Sequence, residues 1–136
     1  MSTRDELAGT RRWLALEHEA IWTYGLIGAR FADLADGARA QDTAHRRTRD
    51  RLQARIRALG GRPVGPAPAY AVVDPADAAA GRALAQDVEA RIAAACVRLV
   101  AVTTNRDRDH AVDGLRDAAL AQVRWGAAPE PFPGLD

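Results

Sequence analysis

The chain has 136 residues, of which 48% are hydrophobic and 27% charged, a composition typical of a soluble globular protein large enough to bury a core. Its formal net charge of +1 excludes the strongly basic balance of many nucleic-acid-binding domains. The single cysteine, Cys96, excludes an internal disulfide. No apolar run has the length of a signal peptide or a membrane span. We therefore expect a cytoplasmic protein that binds neither nucleic acid nor membranes.

Four helices are predicted along the chain, and no segment has the pattern of a strand. The first opens with the capping-box pattern Thr3-x-x-Glu6 and closes at Asp36-Gly37. Gly60 stops the second helix, and Asp74-Pro75 opens the third. The expected helices cover about residues 3–35, 38–59, 75–103 and 107–126, followed by a tail at 127–136, all within a single domain (residues 1–136).

The connections between the helices predict the topology. Short turns join the first helix to the second and the third to the fourth, so each pair should form an antiparallel hairpin. The proline-rich link at residues 61–74 reaches roughly 40 Å at about 3.1 Å per residue, whereas the second helix is roughly 33 Å long. The link can therefore cross the whole bundle. We predict an all-α, ferritin-like four-helix bundle of two hairpins joined by this crossover; the alternative is a floppy link between antiparallel neighbours.

The stripes of residues expected to face the core carry ionisable side chains. Residues three and four apart lie on one face of a helix. An isolated charge inside a core costs several kcal/mol, so each of these side chains must meet a metal ion, an opposite charge or water. They are Glu17 and Tyr24 in the first helix, Asp42, His45 and Arg49 in the second, Glu89 in the third and Arg116 in the fourth.

One interpretation of these residues is a metal site. A di-metal carboxylate centre in this fold takes one Glu from each of two helices and a Glu-x-x-His pair from each of the others. The chain offers Glu17, Asp42-x-x-His45 and Glu89, but Arg116 stands where the fourth helix would supply a ligand. The sequence therefore leaves open an iron or manganese site, with one ion or two, made of Glu17, Asp42, His45 and Glu89.

The other interpretation is a polar network without a cofactor. Arg49 and Arg116 would repel bound cations, whereas they suit the carboxylates as ion-pair partners. With Tyr24 as a further hydrogen-bonding group, they would balance the buried acidic residues. We expect this network, and hence no cofactor.

Five stretches, LEHEAIWTYG, AHRRTRDRL, PAPAY, LAQDVEARIAAA and PFPGL, together resemble the small ferritin-like domains of unknown function from GC-rich, actinobacterial-type bacteria. The resemblance covers nearly the whole chain and implies a four-helix ferritin-like fold without a settled activity. Metal-using members of the wider group oxidise or store iron, but their second Glu-x-x-His is absent here. The family's pattern falls on Glu17, Tyr24, Gly25, His45, Arg49, Asp50, Tyr70, Glu89 and Trp125.

The expected function is that of a binding or structural module built on this scaffold. The long first helix and its tryptophans indicate a homodimer, while the sequence identifies no partner protein. The alternative is an iron- or manganese-dependent oxidoreductase, or a metal-binding protein, with Tyr24 as a nearby redox or hydrogen-bonding group. A sensor that binds a small ligand in the polar pocket is the third hypothesis.

Overall fold

A computed structural model describes residues 2–135, which form four helices and contain no strand. A 3₁₀ turn, Ala32–Leu34, connects the first two helices. The prediction of an all-α four-helix bundle is thus confirmed. The helices are α1 Thr3–Arg30, α2 Ala35–Ala58, α3 Ala78–Ala101 and α4 Asn105–Arg124.

The boundary between α1 and α2 lies earlier than predicted. Phe31 leaves the helix with an extended backbone (φ −129°, ψ 102°), which ends α1 at Arg30. The following 3₁₀ turn reverses the chain, so Asp36 and Gly37 belong to the first turn of α2. Asp-Gly is a common turn signal, but here the reversal is complete before the chain reaches it.

The helix starts use different caps from those predicted. The Ser2 hydroxyl, not that of Thr3, accepts the hydrogen bond from the Asp5 amide at α1. At α3 the Asp77 side chain accepts from the Ala80 amide at 2.8 Å, three residues beyond the predicted cap. α4 begins at residue 105 rather than 107. The predicted end of α2 is close to the observed one, because the left-handed Gly60 (φ +80°) terminates it.

The link at residues 61–74 runs along α1 from one end of the bundle to the other. Because it crosses the full length, α3 starts beside the start of α2 and runs parallel to it. The crossover topology is therefore the predicted one. The successive contacts are Arg11 Nε to the Arg62 carbonyl at 3.1 Å, His18 Nε2 to the Val64 carbonyl at 2.9 Å, the Trp22 and Tyr70 rings at 5.7 Å, and Arg30 to Asp74 at 2.5 Å.

The four helices are not equally close to one another. α1 packs on α2 and on α3, and α3 packs on α4. Between α2 and α4 the bundle instead has a cleft, which is closed at its two ends. At one end Trp125 contacts Gly37; at the other, Arg55 pairs with Glu6 and Asp107, each at 2.7 Å. The open flank therefore gives access to the centre of the bundle.

The tail after α4 folds back onto α3. At Gly134 (φ +80°) a Cβ atom would lie 2.8 Å from the Ala93 carbonyl oxygen and 2.8 Å from Val97 Cγ2, so only glycine fits this approach. Asp136, the last residue of the predicted tail, lies outside the described residues. Within residues 2–135, no helix combines the length and the apolar composition needed to cross a bilayer.

Candidate functional site

A histidine lies between two carboxylates at the centre of the bundle. His45 of α2 places Nδ1 against Glu17 Oε2 of α1 and Nε2 at 2.6 Å from Glu89 Oε1 of α3. The exposed fractions of the three residues are 7%, 2% and 1% in that order. One buried cluster thus ties three of the four helices together.

Two further side chains donate hydrogen bonds to these carboxylates. The indole N–H of Trp13 donates to Glu17 Oε1 at 2.9 Å, and the Tyr24 hydroxyl donates to Glu89 Oε1 at 3.0 Å. Both oxygens of Glu17 are therefore satisfied. Oε1 of Glu89 accepts twice, whereas its Oε2 has no hydrogen-bond partner among residues 2–135. This oxygen is the unused acceptor of the cluster.

Aromatic rings cover the cluster on one side. The Tyr24 ring stacks on the His45 ring with centroids 5.5 Å apart, and the Trp125 ring packs against Tyr24 with centroids 5.6 Å apart. The Trp125 indole N–H is buried without a hydrogen bond of normal geometry in the described chain, although it lies near enough to the Tyr24 hydroxyl to influence its pKa. The stack shields this side of the cluster from water, which strengthens the interactions of its polar groups.

The cluster carries one net negative charge. Both ring nitrogens of His45 face carboxylate oxygens, so a proton must lie on each of the two contacts. Either the ring is an imidazolium between two carboxylates, or it is neutral and one carboxyl group is protonated. The net charge of the cluster is −1 in both cases, and this charge lies in a largely buried region of low dielectric constant.

The pKa values of His45 and Tyr24 follow from this environment. Burial disfavours the imidazolium, but hydrogen bonds and charge from Glu17 and Glu89 outweigh it and raise the pKa of His45 from 6.5 to about 10. Burial, and then the charge of Glu89, raise the pKa of the Tyr24 hydroxyl. The imidazolium form is therefore favoured at neutral pH, with Tyr24 a neutral hydrogen-bond donor.

This pKa shift predicts a pH dependence of stability. The folded protein binds the His45 proton more tightly than the unfolded chain, so its contribution is complete below pH 6.5 and is lost as the pH rises towards about 10. We expect the free energy of unfolding to fall by a few kcal/mol across this window, on the order set by the linkage relation. Urea denaturation at a series of pH values measures it; His45→Gln should flatten the curve, and an equally steep curve in that variant would contradict the assignment.

The cleft between α2 and α4 leads to this cluster. It encloses a cavity of about 490 Å³, and the buried Glu17, His45 and Glu89 are among the residues that line it. Small residues line its two helical walls. Ala40 and Ala44 of α2 and Ala118 of α4 border the open space, whereas Gly37 is in contact with Trp125 and Gly114 with Trp13.

Charged residues line the outer part of the same cleft. Arg51 of α2 and Arg124 and Asp117 of α4 are all exposed there. None of the three forms an ion pair with another of the described residues. Unpaired guanidinium groups beside a deep cavity are available to a bound molecule.

Three of the predicted site residues do not join the cluster. Each has a partner on the surface of its own helix, within about one turn, which avoids the cost of burying a charge. The predicted inward placement is therefore wrong for these side chains. The pairs are Asp42 with Arg46 at 2.8 Å, Arg49 with Asp50 at 2.9 Å, and Arg116 with Asp113 at 4.0 Å.

The cluster does not fit a divalent metal as it stands. Both nitrogens of His45 are used by the carboxylates, so the ring cannot bind a metal without releasing one of them. The fourth helix contributes Gly114 and Ala118, which have no donor atom. Within residues 2–135, no group of three or more His, Cys, Asp or Glu side chains is arranged to hold a metal ion.

Three residues of the site, Trp13, Arg51 and Arg124, were not expected from the sequence. Trp13 donates to Glu17, and Trp125, which the family resemblance included, packs on Tyr24. Arg51 and Arg124 belong to no recognisable sequence motif. Two stripes of small residues, at 37, 40, 44 and at 114, 118, were the available signal for the cleft. The homodimer stays a prediction, and the two buried tryptophans would not be on its surface.

The structure is similar to one solved experimentally, the crystal structure of a conserved hypothetical protein, rv2844, from Mycobacterium tuberculosis. The TM-score is 0.87 and the sequence identity 26%, over 92% of this chain and 97% of that one. No curated protein matches the chain. Residues 9–136 match the family described as "Domain of unknown function (DUF4439)", and the chain belongs to that family.

Proposed function

We propose that the protein is a small-molecule-binding module on a ferritin-like scaffold, with the α2–α4 cleft as its binding site. The observation that carries this proposal is Glu89, a buried carboxylate that lines the cavity and keeps one oxygen without a partner. This oxygen is not among the buried polar atoms that lack a partner, so it opens onto the cleft, where a donor group of a bound molecule can reach it. The cavity volume of about 490 Å³ is within the range of pockets that hold organic ligands, roughly 300–1,000 Å³.

The chemistry of the cluster favours binding over metal-dependent oxidation. A cation is already held between Glu17 and Glu89 when His45 is protonated. An iron or manganese oxidoreductase would require His45 to turn out of this position and Asp42 to leave Arg46. The ferritin-like description rests on the two-hairpin topology with its long crossover; the metal chemistry of that group is the rival to this proposal.

A substitution that fills the cleft tests the proposal. Ala44→Leu places a larger side chain on the cleft wall, whereas Ala54→Leu makes the same change at an equally exposed position of the same helix outside the cleft. In a thermal-shift screen of small organic molecules, together with ferrous and manganous ions, we expect organic compounds that stabilise the wild type and the Ala54→Leu variant. The same compounds should lose their effect on Ala44→Leu, because binding stabilises only a fold that can accept the ligand.

Two results would overturn the proposal. The first is a screen in which no organic compound distinguishes Ala44→Leu from the wild type. The second is stabilisation by stoichiometric iron or manganese that disappears in His45→Gln, which would replace the binding module with the metal site.

A further inference from the structure

The inner end of the cleft attracts a positively charged group. The cluster of Glu17, His45 and Glu89 carries one net negative charge, and no arginine contacts its carboxylates in the described chain. Glu89 Oε2 is the acceptor that remains. Because this oxygen is not among the buried atoms without a partner, it opens onto the cleft, where a ligand cation with N–H donors can reach it and compensate the negative charge.

The outer part of the cleft has the opposite preference. Arg51 of α2 and Arg124 of α4 lie near different ends of the cleft, and Asp117 is the acidic residue that lines its outer part with them. Two guanidinium groups against one carboxylate leave an excess of one positive charge. Arginine forms paired hydrogen bonds with carboxylate and phosphate groups, whereas it repels cations.

From these two ends we infer the class of ligand. We propose that the cleft binds a molecule with an ammonium group, which meets Glu89, and an acidic group, which meets Arg51 or Arg124. This inference rests on the proposed function. It excludes a polyamine, whose second cation would face the arginines, and a dicarboxylate, whose inner end would face the negative cluster.

Matched probes separate the two ends of such a ligand. ε-Aminocaproate carries both groups, hexylamine only the amine and caproate only the acid. Isothermal titration should show that ε-aminocaproate binds at least roughly tenfold more tightly than either of the others, since each charged hydrogen bond contributes about that factor or more. Trp13 and Trp125 line the cleft, so tryptophan fluorescence gives a second readout of binding there.

Variants assign the two ends to residues. Glu89→Gln should weaken binding of ε-aminocaproate and hexylamine by roughly tenfold. Arg51→Gln combined with Arg124→Gln, both exposed and outside the core, should weaken ε-aminocaproate and caproate while leaving hexylamine unchanged. Matched controls are Asp87→Asn on α3 and Arg116→Gln on α4, which lie outside the cleft and should leave all three affinities unchanged.

The outcomes distinguish this inference from the proposed function. Equal binding of hexylamine or caproate, no binding of ε-aminocaproate at millimolar concentration, or unchanged affinity in the arginine double variant overturns the ligand class. The proposed function survives any of these results if another compound of the screen is blocked by Ala44→Leu. If Ala44→Leu abolishes the effect of no compound in the screen, the proposed function and the ligand class both fail. Should Glu89→Gln not fold, the exposed arginine variants still decide the ligand class.

Discussion

Replacing His45 by leucine is expected to destabilise the protein by about 3–5 kcal/mol, the range measured when one partner of a buried ion pair is removed. The substitution leaves Glu17 and Glu89 buried without the group that lies between them. Two carboxylates then repel each other in a site that is almost completely buried. For a domain of this size the loss corresponds to a fall in Tm of roughly 10 °C or more, which circular dichroism during heating and urea denaturation both measure.

Two further variants establish the cause of this loss. His110→Leu makes the same change at a half-buried histidine of α4 and should alter the stability by less than about 1 kcal/mol. Adding Glu17→Gln and Glu89→Gln to His45→Leu removes the repelling charges and should recover a large part of the loss. If the triple variant is no more stable than His45→Leu, packing and not charge determines the effect.

Replacing Gly114 by alanine is expected to destabilise the protein by about 2 kcal/mol or more, as in overpacked cores. A Cβ atom at this position would lie 2.4 Å from Trp13 Cζ2, 2.5 Å from Trp13 Cη2 and 2.9 Å from Cys96 Sγ. The indole cannot move away freely, because it is buried and donates to Glu17. Alanine would otherwise favour the helix by about 1 kcal/mol, so the clash has to exceed that gain. Urea denaturation measures the difference.

Gly25 provides the matched control. It lies in the interior of α1, and a Cβ atom there has no neighbour within 4 Å, so Gly25→Ala should stabilise the protein by up to about 1 kcal/mol. Trp13→Phe makes room beside Gly114 and should reduce the cost of Gly114→Ala in the double variant. Equal effects of alanine at 25 and at 114 would show that the contact with Trp13 is not tight.

The sequence predicts the topology because chain length determines it. The link at residues 61–74 is long enough to cross the bundle, and the short turns leave no other arrangement for the hairpins. The helix ends are less predictable, because several residues of one segment can act as caps. Asp74 and Asp77 are both suitable N-caps; in the structure Asp77 caps α3, while Asp74 pairs with Arg30.

The centre of the candidate site is also visible in the sequence. Glu17, His45 and Glu89 were placed on inward stripes, and the structure brings them together with Tyr24. Helical spacing alone does not separate the inward face from its borders, since residues three or four apart differ by up to about 60° in direction. Asp42 therefore matched the stripe, although in the structure its carboxylate reaches Arg46.

The cleft was not predicted because it results from the absence of large side chains on the facing sides of two helices. Small residues are compatible with close packing as well as with open space, and the alanine content of the chain first indicates close packing. Only the three-dimensional arrangement of α2 and α4 shows that Ala44 and Ala118 line a cavity. The closing contacts, Trp125 on Gly37 and Arg55 on Asp107, are long-range pairs that no local pattern reveals.

The protonation of His45 in the folded protein is the most direct measurement of this site. NMR of the ring nitrogens in isotopically labelled protein should show a proton on both Nδ1 and Nε2 at about pH 8, where an ordinary histidine is neutral. These signals should not change when ferrous iron or manganese is added. A neutral ring at that pH, or a ring nitrogen that loses its proton to a bound metal, would contradict the buried imidazolium between Glu17 and Glu89.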